Sequence, residues 1–260
     1  MKLLRGLCAA FSMYSAIPVP HVAWDEDSLR WALCCFPLVG VVIGGLFWLW
    51  TRLAAFLSVS NTLSGAIGLL ISVLLSGGIH LDGFCDTADA LASHQSRERR
   101  LEILKDSHVG AFAVISCGLY LICFFALLCE TASSEQASGV IALSFVLSRA
   151  LSALCAVTLR CARGDGMLAT FTNAADTHAV ILCSATTIGL CAAAMLVLWP
   201  TAGGGAVLAG SAVLCYYRWM SRRRFGGITG DLAGWFLCLF ELAAAAGAVA
   251  ATLLIGGNIA

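Results

Sequence analysis

AVILCSATTIGLCAAAMLVLWPTAGGGAVLAGSAVLCYY, residues 179–217, carries no charged side chain. A helix crosses the hydrocarbon core of a bilayer with about 20 apolar residues, so this stretch holds two crossings. Pro200 and the run Gly203, Gly204, Gly205 divide it into a hairpin of two helices. Five further stretches of similar length flank it, at 31–51, 62–79, 109–129, 137–159 and 232–255. Trp31, Trp48 and Trp50 bracket the first, as expected of indoles at a membrane interface. The sequence therefore predicts an all-α, polytopic transmembrane helical bundle of about seven spans, a single integral membrane domain over 1–260.

The composition agrees. Of 260 residues, 60% are apolar and only 12% charged, with a mean hydropathy of +0.91, whereas a soluble domain carries about 25% charge. Fifteen basic and fifteen acidic residues leave a net charge of zero, which argues against nucleic acid as a partner. None of the thirteen cysteines is spaced C-x-x-C and most fall in apolar runs, where a free thiol is a small hydrophobe. Lys2 and Arg5 followed by a short apolar stretch imitate a secretory signal, but Pro18 and Pro20 interrupt it, so this segment is expected to be retained.

Positively charged loops stay in the cytoplasm. With seven spans, thirteen of the fifteen Lys and Arg residues fall on one side, Arg52 alone falls on the other, and Arg149 lies within a span. The expected topology is a multi-pass protein of the cell inner (cytoplasmic) membrane, amino terminus inside and carboxyl terminus outside. The longest loops, 80–108, 160–178 and 218–231, all land on the cytoplasmic side and hold most of the chemistry-bearing side chains. The active site is expected there.

Three clusters stand out. In GGIHLDGFCDTADAL, residues 77–91, Asp82, Asp86 and Asp89 are spaced i, i+4, i+7 and share one helical face. Their repulsion, a few tenths of a kcal/mol per pair, is relieved by a cation, and oxygen ligands select Mg²⁺ over Zn²⁺. Acids at a helix start are the competing reading. In LEILKDSHVGAF, residues 101–112, Lys105, Asp106, Ser107 and His108 precede a span behind Arg97, Arg99 and Arg100. In RRRFGGITGD, residues 222–231, Arg222, Arg223 and Arg224 join Gly226, Gly227, Gly230 and Asp231. Arginine forks and glycine amides suit phosphate, although the spacing is not that of a P-loop. Within the spans, Arg149 and Glu241 either pair or serve the site. Together these features describe phosphoryl transfer at a membrane surface, without naming donor or acceptor.

The strings IPVP (17–20), PLVGVVIG (37–44), GGIHLDGFCDTADAL (77–91), LKDSHVGAF (104–112) and GGITGD (226–231) occur in the order and spacing of the cobalamin synthase family, which the whole chain resembles. The resemblance implies a Mg²⁺-dependent membrane enzyme performing the last joining step of cobalamin assembly. The ribose hydroxyl of α-ribazole, or of its 5′-phosphate, would attack adenosylcobinamide-GDP and release GMP. It implies catalytic roles for Asp82, Asp86, Asp89, Asp106 and Lys105, and metal contacts from Asp82, Asp86, Asp89, Asp106 and Asp231. Substrate contacts would come from His80, Ser107, Arg149, Arg222, Arg223, Arg224, Gly226, Gly227 and Gly230. Expected partners are the two substrates, the lipid bilayer and other membrane-associated enzymes of cobalamin assembly. A membrane phosphotransferase of the CDP-alcohol type is the nearest rival, but its D-x-x-D-G signature is absent. A transporter would carry its acids at mid-membrane and a repeated half, which this sequence lacks.

Overall fold

A computed structural model describes residues 2–132 and 134–255; the carboxyl-terminal residue Ala260, on which part of the expected topology rests, lies outside them. The order of helices is α1 (Lys2–Tyr14), α2 (Glu26–Phe56), α3 (Asn61–Leu75), α4 (Ile79–Ala92), α5 (Arg97–Ile103), α6 (Ala111–Thr131), α7 (Glu135–Thr158), α8 (Met167–Ala174), α9 (Thr177–Leu198), α10 (Pro200–Met220) and α11 (Gly230–Leu254). Among the described residues there is no strand, only one isolated parallel bridge between Cys161 and Ile228.

Every expected span is a helix. Five of them, α2, α6, α7, α9 and α11, are long and apolar enough to cross a membrane alone, which makes the chain a multi-pass membrane protein. Helix α10 has the length, but Gly203, Gly204 and Gly205 dilute its hydropathy, and it stays packed against α9 and α11. The expected span 62–79 is shorter than the hydropathy suggested. Helix α3 stops at Leu75, and Gly77 (φ +65°) and Gly78 (φ +73°) turn the chain so that α4 leaves at 87° to it. Two consecutive residues in the left-handed region cost little only as glycines.

Helices α7 and α11 are central. Helix α7 packs against α2, α9 and α11, and α11 against α10, α4, α7 and α6. Backbones approach closely where side chains are absent: Gly40 and Gly44 of α2, one turn apart, sit against the carbonyls of Phe145 and Ala142 of α7, the small-residue packing expected when helices gain little from leaving lipid. The outward faces of α6 and α9 carry exposed apolar residues such as Ile122, Leu182, Leu190 and Val197, which is the surface a bilayer would solvate.

Polar contacts gather the expected loops at one end. Lys2 pairs with Asp27 at 2.9 Å, Arg30 with Asp176 at 2.6 Å and Lys105 with Asp165 at 3.1 Å, while Arg5 pairs with Asp25. The lone basic residue assigned to the other end, Arg52, pairs with Glu135 at 3.3 Å.

Candidate active site

The site forms where α4 lies across the start of α11. Gly83 faces the backbone of Asp231, and Gly234, one turn along α11, faces the backbone of His80. A Cβ at either glycine would hold the helices apart. Their absence brings Asp82 and Asp86 to Asp231, so that the charges of Asp82, Asp231 and Asp89 all bear on the half-buried Asp86. Carboxylates so crowded at the edge of an apolar bundle favour a cation among them. Asp82 is exposed and, with Asp231, lines the wall of a cavity of about 250 Å³.

Two expected members of the acidic set have other partners. Asp89 accepts hydrogen bonds from the backbone N–H groups of Gly110 (2.6 Å) and Ala113 (2.8 Å), capping the start of α6 from a neighbouring helix. Because Gly110 itself has no side chain to serve as cap, Asp89 meets the orphan donors of that terminus. Asp106 is exposed and bound to His108, whose backbone N–H (3.0 Å) and ring Nδ1 (2.6 Å) both meet Oδ1. These contacts hold its carboxyl below the ordinary range, and the other charge that bears on it is that of Arg99. Among the described residues no group of three or more His, Cys, Asp or Glu closes on a single chelation point. A divalent ion among Asp82, Asp86 and Asp231 would therefore be held by one or two carboxylates directly and otherwise through water.

The basic elements form an exposed rim on the turn that leads into α11, outside the lining of the cavity. Helix α10 continues into a π-helical stretch, Ser221–Phe225, ended by Gly226 in the left-handed region (φ +74°), and Arg222, Arg223 and Arg224 project from it into solvent. None of the three forms an ion pair among the described residues. The guanidinium of Arg97 lies directly on Gly226, in the space a side chain would fill. Gly227 is pressed against the backbone of Arg160 and Ala162, where Ile228 N–H donates to the Arg160 carbonyl (2.9 Å) and Ala162 N–H to the Ile228 carbonyl (2.8 Å). This bridge ties the 160–166 loop to the 226–230 turn and delivers Arg163 to Asp231, whose carboxylate feels its charge. Gly230 is exposed and opens α11 beside the cavity. Lys105 is held by Asp165, whose own carboxyl the lysine keeps below the usual range, and Ser107 is exposed.

His80 is buried on the cavity wall between the rings of Tyr14 (6.4 Å, nearly parallel) and Phe36 (6.0 Å). Arg149 lies deeper. Its Nη1 donates to Glu241 Oε1 at 2.6 Å, to Ser148 Oγ and to the Phe145 carbonyl, and both charged residues are almost fully buried. Of the two readings the sequence left open, the pairing is present in the structure.

Sequence reasoning missed Tyr14, Phe36, Arg163 and the bridge at 160–162. Tyr14 sits in the segment read only as a signal-like start, and no short motif surrounds Arg163.

The model of the cobalamin-5-phosphate synthase family matches residues 6–249. An adenosylcobinamide-GDP ribazoletransferase of Lachnoclostridium phytofermentans is 44% identical over 246 residues, covering 94% of this chain and 93% of the relative. Proteins of the same name from Chlorobaculum tepidum (35% identical, 89% and 90% covered) and Clostridium botulinum strain Alaska E43 (30% identical, 93% and 95% covered) are also similar. No solved structure matches. With the family model matched over nearly its whole length, and the HLDG-x-x-DTAD acids gathered at one end of an apolar bundle, this chain belongs to the cobalamin-5-phosphate synthase family.

Proposed function

We propose that the protein joins adenosylcobinamide-GDP to α-ribazole or its 5′-phosphate, releasing GMP. One observation carries the reading. The three carboxylates Asp82, Asp86 and Asp231 lie together beside a cavity, and the turn that leads into Asp231 carries a rim of arginines, Arg222, Arg223 and Arg224, that form no ion pair among the described residues. A diphosphate needs cations, and a hydroxyl nucleophile needs a proton acceptor. The rim supplies the first and the carboxylates the second.

In this mechanism Arg222, Arg223, Arg224 and Arg97 bind the diphosphate by charge-assisted hydrogen bonds. The acceptor's ribose oxygen attacks the phosphorus that bears the cobinamide. Its proton passes to a carboxylate of Asp82 or Asp231, both on the cavity wall. The anhydride P–O bond breaks and its electron pair leaves on the phosphate of GMP, so the product is a phosphodiester. Asp82, Asp86 and Asp231 would hold Mg²⁺, which when bound neutralises phosphate charge and fixes the in-line arrangement. Asp89 contributes by holding the start of α6, and with it the 105–110 loop, against α4.

The site-bearing end faces the cytoplasm of an inner membrane in this reading, with the amino terminus inside and the carboxyl terminus outside. Its support is the placement of thirteen of the fifteen basic residues at that end. The same surface would meet other enzymes of cobalamin assembly.

Membranes containing the protein, incubated with both precursors and Mg²⁺, should release GMP and form a corrinoid product in equal amounts. Absence of both, with the protein inserted, would overturn the reading.

A further inference from the structure

We infer that the cavity beneath the acidic cluster seats the aromatic base of the acceptor, with His80 Nε2 donating a hydrogen bond to the base's free ring nitrogen. The inference rests on the proposed function and assigns it a subsite. Three features of the cavity fix the chemistry of its occupant. Its inner walls are mostly apolar and aromatic, built from Tyr14 and Phe36 with Leu33 and Leu237, and Ser152 adds a hydroxyl. Its mouth carries the carboxylates of Asp82 and Asp231. At His80, which is 8% exposed, Nε2 is fully buried and has no hydrogen-bond partner among the described residues. A buried polar atom without a partner is costly, and the residue that carries it is one of those lining the cavity.

The matching ligand is flat and apolar, has one hydrogen-bonding atom on its buried edge, and carries a hydroxyl-bearing group at its outer end. α-Ribazole, the N-riboside of 5,6-dimethylbenzimidazole, has this form. Its fused ring and methyl groups are apolar, its unsubstituted ring nitrogen accepts one hydrogen bond, and its ribose would emerge at Asp82 and Asp231. The donor fits worse. Guanine presents several donors and acceptors, more than His80, Ser152 and the Tyr14 hydroxyl on this wall can meet together. At about 250 Å³ the cavity falls below the roughly 300–1,000 Å³ of pockets that enclose a drug-sized ligand, so it holds one ring system and excludes a corrin. Tyr14 lies nearly parallel to the imidazole (20°, ring centroids 6.4 Å apart), a second flat wall beside it.

The test uses the full-length enzyme in detergent, with the natural acceptor, the corresponding indole riboside (ring nitrogen replaced by CH) and free 5,6-dimethylbenzimidazole as probes. His80→Phe should raise KM for the acceptor about tenfold, an order typical of one lost hydrogen bond to a buried partner, while KM for adenosylcobinamide-GDP stays within about twofold. His80→Gln keeps an amide donor and should recover part of the loss. The wild type should discriminate against the indole riboside about tenfold, and His80→Phe should not discriminate. If the acceptor KM of His80→Phe is unchanged, or both proteins discriminate equally, the assignment is wrong. Should His80→Phe fail to insert, wild-type inhibition decides: the free base must compete with the acceptor and not with the donor, and any other pattern overturns the inference. Equilibrium dialysis of the free base against wild type and His80→Gln reads the pocket without turnover. A wild type that binds the base but releases no GMP would therefore sink the proposed reaction, whereas one that releases GMP without binding the base would sink the subsite.

Discussion

Two groups of charge lie in this bundle, and they are treated oppositely. Arg149 and Glu241 meet at 2.6 Å between α7 and α11, almost fully buried, with Ser148 and the Phe145 carbonyl as further partners and Arg149 Nε without one among the described residues. Asp82, Asp86 and Asp231 meet at the end of the same α11, with one sign of charge and an open side. The first group is closed, since each charge has its counter-charge inside the protein. The second is open, since Arg163 is the one counter-charge that bears on Asp231 and three carboxylates leave more to be neutralised from outside. A paired charge in the interior is bound up with folding, whereas an unneutralised group beside a cavity can bind something.

The largest expected effect breaks the closed group. Glu241→Gln or Arg149→Met alone leaves one uncompensated buried partner and should destabilise the protein by about 3–5 kcal/mol, read as a fall in the temperature at which the detergent-solubilised protein aggregates. The double variant Arg149→Met/Glu241→Met should recover most of that stability and retain turnover. Full stability in the singles would show that the pair is incidental.

The open group should behave in the reverse way. Asp82→Asn and Asp86→Asn remove repulsion, so insertion and thermal stability should hold or improve. GMP release should fall about 10²-fold, which is about 2.7 kcal/mol of transition-state stabilisation, and the Mg²⁺ requirement should move upward. Near-normal turnover at ordinary Mg²⁺ in both variants would reduce the cluster to a helix-start feature.

Asp89 sharpens the contrast, because it shares the acidic face yet is used as a cap. Asp89→Ala should cost about 1 kcal/mol of stability and Asp89→Asn less, with little change in Mg²⁺ dependence. A shift as large as that of Asp86→Asn would return Asp89 to the open group.

The smallest effect concerns the rim. Lysine at 222, 223 or 224 keeps the charge but loses the fork. Each should raise KM for adenosylcobinamide-GDP about threefold to fivefold, under about 1 kcal/mol at an exposed site, with unaltered insertion. Wild-type KM in all three would confine these arginines to setting topology.

Much of this was legible beforehand. Apolar runs of a given length become helices in lipid because every backbone group must be satisfied within the segment, so residues 31–51 or 232–255 announce themselves without any partner. The spacing of Asp82, Asp86 and Asp89 likewise fixes a shared face as soon as the segment is helical. Which neighbour each acid meets is another matter. Asp89 finds Gly110, 21 residues on, and Arg149 finds Glu241, 92 residues on.

The sequence by itself determined the all-helical class, the order of the spans, the end at which polar chemistry collects and the residue types of the site. Hydropathy, charge and helical period are properties of a segment and need no knowledge of the rest of the chain. Only the tertiary structure decided that Asp231 joins Asp82 and Asp86 while Asp106 turns to His108, that Arg149 is neutralised, and that Tyr14 and Phe36 close a cavity around His80. Those outcomes hang on where backbones touch, at Gly83 against Asp231 and Gly234 against His80. Such a contact depends on two distant segments at once, so neither segment records it alone.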